Sequence, residues 1–349
     1  MKASNVTALR MERQHLYHPV PEEEYDALFR EMSPVPTEYW CAPGSPPSLP
    51  GHVDFDDGNY NFRRRSRREI RKGRFAAEGI AYAAEEDWEL FACLYRKEIK
   101  NLSFLQQKLL ELLKQEGPMN IGLIKEFSGL LVKEITPALH KLQSAFLVYE
   151  DQQDSEGDRG WYLFETEFPD VDLCRYTRQE ALQHVLPRFA RLSVFFSLEM
   201  AHSFFRLPAK ELNAAIAALE KEKILEPAEL EGEKGWILSG DREFLEAPGM
   251  QSPPNGVLLL QRNDFWAKTN EFRLKEEFSS QWDVLCWVMI DGSFRGAVTG
   301  KFRFGPHQVE EVVLGPCEKE ALSRQEEILS AVAARFGSHA HPIFRRIPA

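Results

Sequence analysis

Ile135-Thr-Pro-Ala138-Leu139-His-Lys-Leu142, then Phe146-Leu147-Val148, then Gly160-Trp161-Tyr-Leu163, has a counterpart about 77 residues further on. The counterpart reads Leu212-Asn-Ala-Ala215-Ile216-Ala-Ala-Leu219, then Lys223-Ile224-Leu225, then Gly235-Trp236-Ile-Leu238. In each copy apolar residues fall at i, i+3, i+4 and i+7, the stripe that an amphipathic helix buries. A short β-favouring run follows, then an acidic turn containing glycine, then a second strand. A helix followed by a two-stranded wing is the sequence form of a winged helix-turn-helix. Two copies in the same order predict tandem winged helices.

The flanking residues fit. Residues 104–114 (FLQQKLLELLK) form a leucine-rich helix stopped by Gly117-Pro118. Asn120 is a candidate N-cap for a short second helix, and Ser128-Gly129 the turn into the third. In the second copy residues 181–192 form the long helix. Ser197 caps residues 198–205, and Leu207-Pro208 opens the helix at the recognition position, with proline in its first turn. Small helical units that only pack, or that bind protein, share this pattern, so DNA contact stays open at this level. Trp161 and Trp236 hold equivalent wing positions and are expected core anchors.

At 349 residues the chain suits two to four modules. Its 43% apolar and 28% charged residues describe an ordinary globular protein. No run approaches the roughly 20 apolar residues of a membrane span, and the first residues lack a signal-peptide core, so a cytoplasmic protein is expected. Cys41, Cys93, Cys174, Cys286 and Cys317 are scattered with no C-x-x-C pair, which supports neither a zinc ribbon nor a disulfide framework. Neither cofactor nor metal is expected, and the chain is expected to be a monomer.

Net charge is −11, but it is segregated. Arg63, Arg64, Arg65, Arg67, Arg68, Arg71, Lys72 and Arg74 surround a single acid, Glu69, so this run carries +7 and the remainder −18. Such a distribution orients a polyanion toward one face. These eight residues are the candidate DNA contacts. Pairing of some of them with Glu85, Glu86 or Asp87 is the competing role.

Residues 1–100 are the least regular. Residues 10–16 and 22–32 look helical, the latter opening at Pro21 with acids in its first turn. Residues 33–51 hold six prolines and two glycines and predict an extended loop anchored by Tyr39 and Trp40. After the basic run, residues 75–82 look strand-like and 85–98 helical, with Trp88, Phe91, Ala92 and Tyr95 on one face. Residues 248–256 read as a linker. Beyond it the period becomes two: residues 257–261, 282–290, 294–299 and 309–314, with Asp291-Gly292 as a hairpin signal. A helix over 318–336 closes the module. The predicted fold is α+β: an N-terminal region 1–100, winged helices over 101–170 and 171–247, and a small antiparallel β-sheet or barrel over 256–349.

Other constellations carry less. Gln106 and Gln107 lie in a helical repeat and read as exposed helix residues rather than a catalytic pair. His339 and His341 have metal-ligand spacing but sit in the tail without a nearby acid or cysteine. His15 and His18 flank Tyr17 and could line a groove. No phosphate-binding loop, dinucleotide fingerprint, nucleophile elbow or H-E-x-x-H is present.

Taken together the chain resembles the bacterial AlkZ-type (YcaQ-like) winged-helix DNA glycosylases, over nearly its full length. The resemblance rests on Leu9-Arg-Met-Glu-Arg13-Gln14-His15-Leu16 and the following Tyr25-Asp-Ala-Leu-Phe-Arg-Glu-Met32. It continues through Arg71-Lys-Gly-Arg74, Ile80-Ala-Tyr82 and Asp87, the two repeats, and Gly292-Ser-Phe-Arg-Gly296-Ala-Val. It implies three winged helices, the first degenerate and within residues 1–100, plus a C-terminal β-barrel, acting on bulky alkylated bases and interstrand crosslinks. It also implies a Gln-x-Gln or Gln-x-Asp motif just after the second helix, which positions the water that cleaves the N-glycosidic bond. Here that place holds Val35-Pro36-Thr37-Glu38. Valine cannot orient water and threonine offers one hydroxyl, so only Glu38 and Thr37 remain as candidate catalytic residues. Three functions stay open: a duplex-DNA-binding protein without efficient excision, an active glycosylase using Glu38 or Thr37, and a protein-interaction module.

Overall fold

The computed structural model describes residues 1–37, 45–75, 79–152, 159–247, 256–278, 280–303, 307–315, 323–338, 340 and 342–346. Glu38, Tyr39, Trp40, Cys41, Cys317, His339, His341 and residues 153–158 lie outside them.

The repeated stretches both fold as three helices followed by an antiparallel hairpin. In the first copy, Ser103 and Gln106 form a reciprocal capping box for the helix Phe104–Glu116, which stops at Gly117 with φ 85°. The Asn120 side chain accepts from the Leu123 N–H and opens Ile121–Ser128, and Gly129 closes it in the left-handed conformation. Val132–Ser144 follows, then the strands Val148–Gln152 and Arg159–Leu163. In the second copy Thr177 and Glu180 cap Arg178–Ser193, Ser197 caps Leu198–Phe205, and Ala209–Lys221 leads into Leu225–Leu230 and Glu233–Leu238. Pro208 is the N-cap itself rather than part of the first turn. The predicted stripes are buried in both copies: Ile135, Leu139 and Leu142, and Leu212, Ile216 and Leu219. Trp161 is a core residue. Trp236 is only partly buried and donates its Nε1–H to Glu220 at 3.1 Å.

The first hundred residues are more ordered than their composition suggests. Ala3–Arg13 and Tyr25–Met32 are helices, and Glu22–Glu24 is a short 3-10 turn before the second. The basic run spans the end of the helix Asp57–Ser66, a turn at Arg67 and Arg68, and the strand Ile70–Phe75. That strand pairs with Gly79–Ala84, which pairs in turn with Val35–Pro36. The helix Glu85–Tyr95 packs on this sheet with Trp88, Phe91, Ala92 and Leu94 buried.

The C-terminal module is an open five-stranded sheet rather than a closed barrel. Its strands, from one edge to the other, are Ile343–Arg346, Gln308–Leu314, Ser293–Lys301, Asp283–Ile290 and Val257–Gln261. Asp291 and Gly292 take φ of 49° and 78° in the predicted hairpin. The last strand joins parallel to its neighbour, and the helix Gln325–Phe336 buries Ile328 and Val332 against one face. Two short helices, Phe265–Thr269 and Glu271–Glu277, were not predicted; they follow the first strand and carry Phe265 and Trp266 back to the helical part.

One core crosses the sequence-level divisions. It joins Phe29, Tyr82 and Trp88 to Phe146 and Phe164, and then to Phe189, Leu212, Leu225 and Phe265. The first repeated unit adds a small core of its own around Leu109, Ile124, Leu139 and Trp161.

Candidate nucleic-acid interface

Chemistry is expected just after the second helix. Tyr25–Met32 ends at Ser33, and Val35 enters the sheet opposite Tyr82. Val35 is buried in the core, so its side chain is committed to packing. Thr37 is half-buried, and its carbonyl accepts from Asn263 Nδ2 at 2.8 Å. Glu38 lies outside the described residues.

Asn263 belongs to a turn of the C-terminal module that meets the N-terminal region at three points. Besides the Thr37 contact, Gln261 Nε2 donates to the Ser48 carbonyl at 2.8 Å. His52, completely buried, sits between the Gln14 carbonyl (2.5 Å from Nδ1) and Asp264 Oδ2 (2.7 Å from Nε2). Burial alone would lower the imidazole pKa; the Asp264 carboxylate outweighs that and leaves it raised. Asp264 Oδ1 also caps the helix Phe265–Thr269 through the Trp266 N–H at 2.8 Å. Sequence reading missed His52 and Asn263. Asp264 ahead of Phe265-Trp266 was a legible capping signal.

A cluster of guanidinium groups stands on the facing helix surfaces. Asp87, buried, is gripped by Arg30 (2.6 and 2.9 Å) and by Arg188. Burial would raise its pKa, but Arg30 and Arg188 reverse the effect and hold it low. Arg191 reaches Glu31 at 2.9 Å and Arg13 reaches Asp241 at 2.6 Å. Asp87 thus pairs with these arginines rather than with the basic run.

The run itself is not one exposed strip. Arg64 is buried over the Phe29 ring, 3.2 Å from Asp26. Arg68 pairs with Asp151 and Glu167, Arg71 with Glu85, and buried Lys72 lies 3.5 Å from buried Glu150. Arg74 donates to Gln143 at 2.6 Å. The second half of the run is therefore a seam: Arg68 and Lys72 meet Asp151 and Glu150 on the first strand of the neighbouring hairpin, Arg71 meets Glu85, and Arg74 meets the helix Val132–Ser144. Arg65 is buried against Phe62. Only Arg63 and Arg67, with 55% and 69% of their side-chain surface accessible, stand in solvent as expected.

A second surface with an excess of cations, four lysines against Glu98 and Glu134, was not anticipated. The segment after Tyr95 and the helix Val132–Ser144 enclose a cleft of about 1040 Å³ whose walls include Lys97, Lys100, Lys133 and Lys141, together with Glu98 and Pro137. Gln106 borders it, but as a buried capping residue rather than an exposed one; Gln107 is exposed as read. Among the described residues no group of His, Cys, Asp and Glu is arranged to hold a metal, and no helix is long and apolar enough to cross a membrane.

The arrangement of these parts has a counterpart among solved structures. The DNA glycosylase AlkZ of Streptomyces sahachiroi matches with a TM-score of 0.70 over 99% of this chain and 100% of that one, at 15% identity. The chain has an AlkZ-like fold. No protein-family model and no curated protein sequence matches it. At this identity the AlkZ-like architecture is kept while side chains have been replaced at most positions, and the residues after the second helix have to be judged on their own chemistry.

Proposed function

We propose that this chain binds duplex DNA through tandem winged helices on the AlkZ-like scaffold, in the service of alkylation-damage or crosslink repair, and without efficient base excision. The observation that carries the proposal is the likeness to a DNA glycosylase from end to end. The twofold succession of three helices and a hairpin supports the winged-helix assignment, with residues 1–100 standing in for a degenerate first copy. The protein acts as a cytoplasmic monomer. Its candidate phosphate contacts are Arg63 and Arg67 and the lysines of the cleft beside Val132–Ser144. The exposed Leu123, Phe127, Leu131 and Val132 disfavour base reading by the turn between the second and third helices of that copy.

The weakness in catalysis follows from Val35. Cleavage of an N-glycosidic bond needs an oriented water and a partner for the positive charge developing on the sugar. A buried valine supplies neither, and the loss of a water-orienting group costs on the order of a hundredfold in rate. One contact favours a second reading: Asn263 brings an amide to Thr37 from the C-terminal module, and could serve an altered excision centre.

The test uses a labelled N7-alkylated duplex. Anisotropy titrations should give a log K against log salt slope of roughly −3 to −5, for three to five neutralised phosphates. Replacing Lys100, Lys133 and Lys141 by alanine should flatten it. Under single-turnover conditions no efficient base release is expected, the rate falling on the order of a hundredfold or more below that of a glycosylase with an intact water-orienting pair. Rapid release that disappears in Asn263→Ala or Thr37→Ala would establish the second reading. Salt-independent or absent binding would sink both and leave a protein-interaction module.

A further inference from the structure

The helix at the recognition position of the first repeated unit does not stand bare. Its exposed residues are Val132, Lys133, Glu134, Pro137 and Lys141, and all but Val132 line the cleft of about 1040 Å³. The opposite wall is residues 97–101 and Ser103 of the same chain. That segment is held at both ends. The Lys97 N–H donates to the Ser144 carbonyl at 2.9 Å, and Ser103 shares its capping box with Gln106.

The cations of the cleft differ from those of the arginine run. Arg63, Arg64, Arg67, Arg68, Arg71 and Lys72 each have a carboxylate within 4 Å. Lys100, Lys133 and Lys141 are exposed and have none among the described residues. Of the two acids in the cleft, Glu134 is turned to its own helix start, where Oε2 accepts from the Leu131 N–H at 2.9 Å. Ile99, Leu105 and Pro137 add apolar surface between the lysines. Phe104, flanked in the chain by the lining residues Ser103 and Leu105, is 82% exposed, so packing does not account for it.

A helix reads a duplex by placing its outer face in the major groove, about 12 Å wide, with nothing standing before it. Here residues 97–101 stand before it. Lysines at the rim still meet duplex phosphates, but the interior admits one strand at most. Unpaired lysines, apolar surface and a bare aromatic ring are together the means of holding single-stranded nucleic acid, with backbone on the cations and bases on the ring. A small anion would use the lysines and leave the apolar surface and Phe104 idle.

We propose that this cleft holds an unpaired DNA strand beside the bound duplex, with Lys100, Lys133 and Lys141 on its phosphates and Phe104 stacked on a base. This rests on the DNA-binding reading and deepens it: the first repeated unit takes the strand freed at a tail, gap or opened lesion.

The experiment titrates the full chain with three labelled probes: a blunt duplex, the same duplex with a single-stranded tail of about 10 thymidines, and oligothymidylate alone. The tailed duplex should bind about tenfold more tightly than the blunt one. Phe104→Ala should abolish that gain and leave blunt-duplex affinity unchanged, while Phe104→Trp, which keeps a stacking face, should retain it. Replacing Lys100, Lys133 and Lys141 by alanine should also remove the gain, and should flatten the oligothymidylate salt slope by about 2. All these side chains are exposed, so melting temperatures should match the wild type. A tail that adds nothing to wild-type affinity, or a gain that survives in Phe104→Ala or in the triple variant, would overturn the proposal while leaving the duplex reading in place. If the wild type binds no blunt duplex, that reading fails, and oligothymidylate decides the cleft alone: binding lost in both variants keeps the site, and no binding removes it.

Discussion

His52 has its ring nitrogens on Gln14 and Asp264, and no part of it reaches solvent. Its pKa is raised in the folded protein, so the folded state binds the proton more tightly than the unfolded chain does. The stability this contributes is fully present below the unfolded value of about 6.5, and is lost as pH rises through the higher folded value. Melting curves between pH 5.5 and 8.5 should therefore show a decline above pH ~6.5 that is missing in His52→Gln. The same slope in both proteins would mean that His52 is neutral throughout. None of this could be read from the sequence, because 212 positions separate His52 from Asp264. Asp87 teaches the same lesson. Its nearest basic residues along the chain are Arg96 and Lys97, yet its partners are Arg30 and Arg188.

Helix limits follow local chemistry, and here the sequence was informative. Ser103, Asn120, Thr177 and Ser197 each cap the helix they precede, because a side-chain oxygen satisfies an N–H that has no intrahelical partner. The basic strand is different. Ile70–Phe75 looked like part of a solvated patch, since nothing local reveals that Val148–Gln152 will offer Glu150 to Lys72 and Asp151 to Arg68 just ahead of the strand. Lys72→Ala should then cost about 3 kcal/mol, because buried Glu150 loses its lysine. Arg67→Ala should stay within about 0.5 kcal/mol as an exposed change. Urea denaturation of the two variants separates these; equal effects would show that the seam carries no more stability than the surface.

At the scale of the molecule the four predicted regions are not energetically separate. The largest core runs from Val20 to Phe265, and the C-terminal sheet reaches the first helix through Met11, Leu16, Leu260, Trp266 and Met289. Arg10 lies over the Trp266 ring at 4.9 Å, which closes the junction. Removing a buried tryptophan costs about 3–5 kcal/mol. Trp266→Ala should therefore lower the whole melting transition, followed together by far-ultraviolet dichroism and tryptophan fluorescence. A separate early transition confined to the sheet in the wild type would show that the junction is weak.

The sequence by itself determined part of the element order: the doubled helix–helix–helix–hairpin, the caps at Asn120 and Ser197 and most of the period-two strands after residue 256, but not the helix Asp57–Ser66, the strand Ile70–Phe75 or the two short helices after Asp264. These rest on interactions within a few residues, where spacing along the chain is spacing in the fold. It also determined that Val35 and Thr37 stand where the resemblance implied glutamines, which is a matter of identity alone. Only the tertiary structure decided the fate of the charges. A guanidinium stands in solvent or in a half-buried pair according to which distant carboxylate arrives beside it. Arg63 and Arg68, five positions apart, differ in this way: Arg63 stands exposed 3.7 Å from exposed Glu22, and Arg68 joins Asp151 and Glu167. Coulomb pairing depends on distances in space, and no periodicity of the chain encodes them.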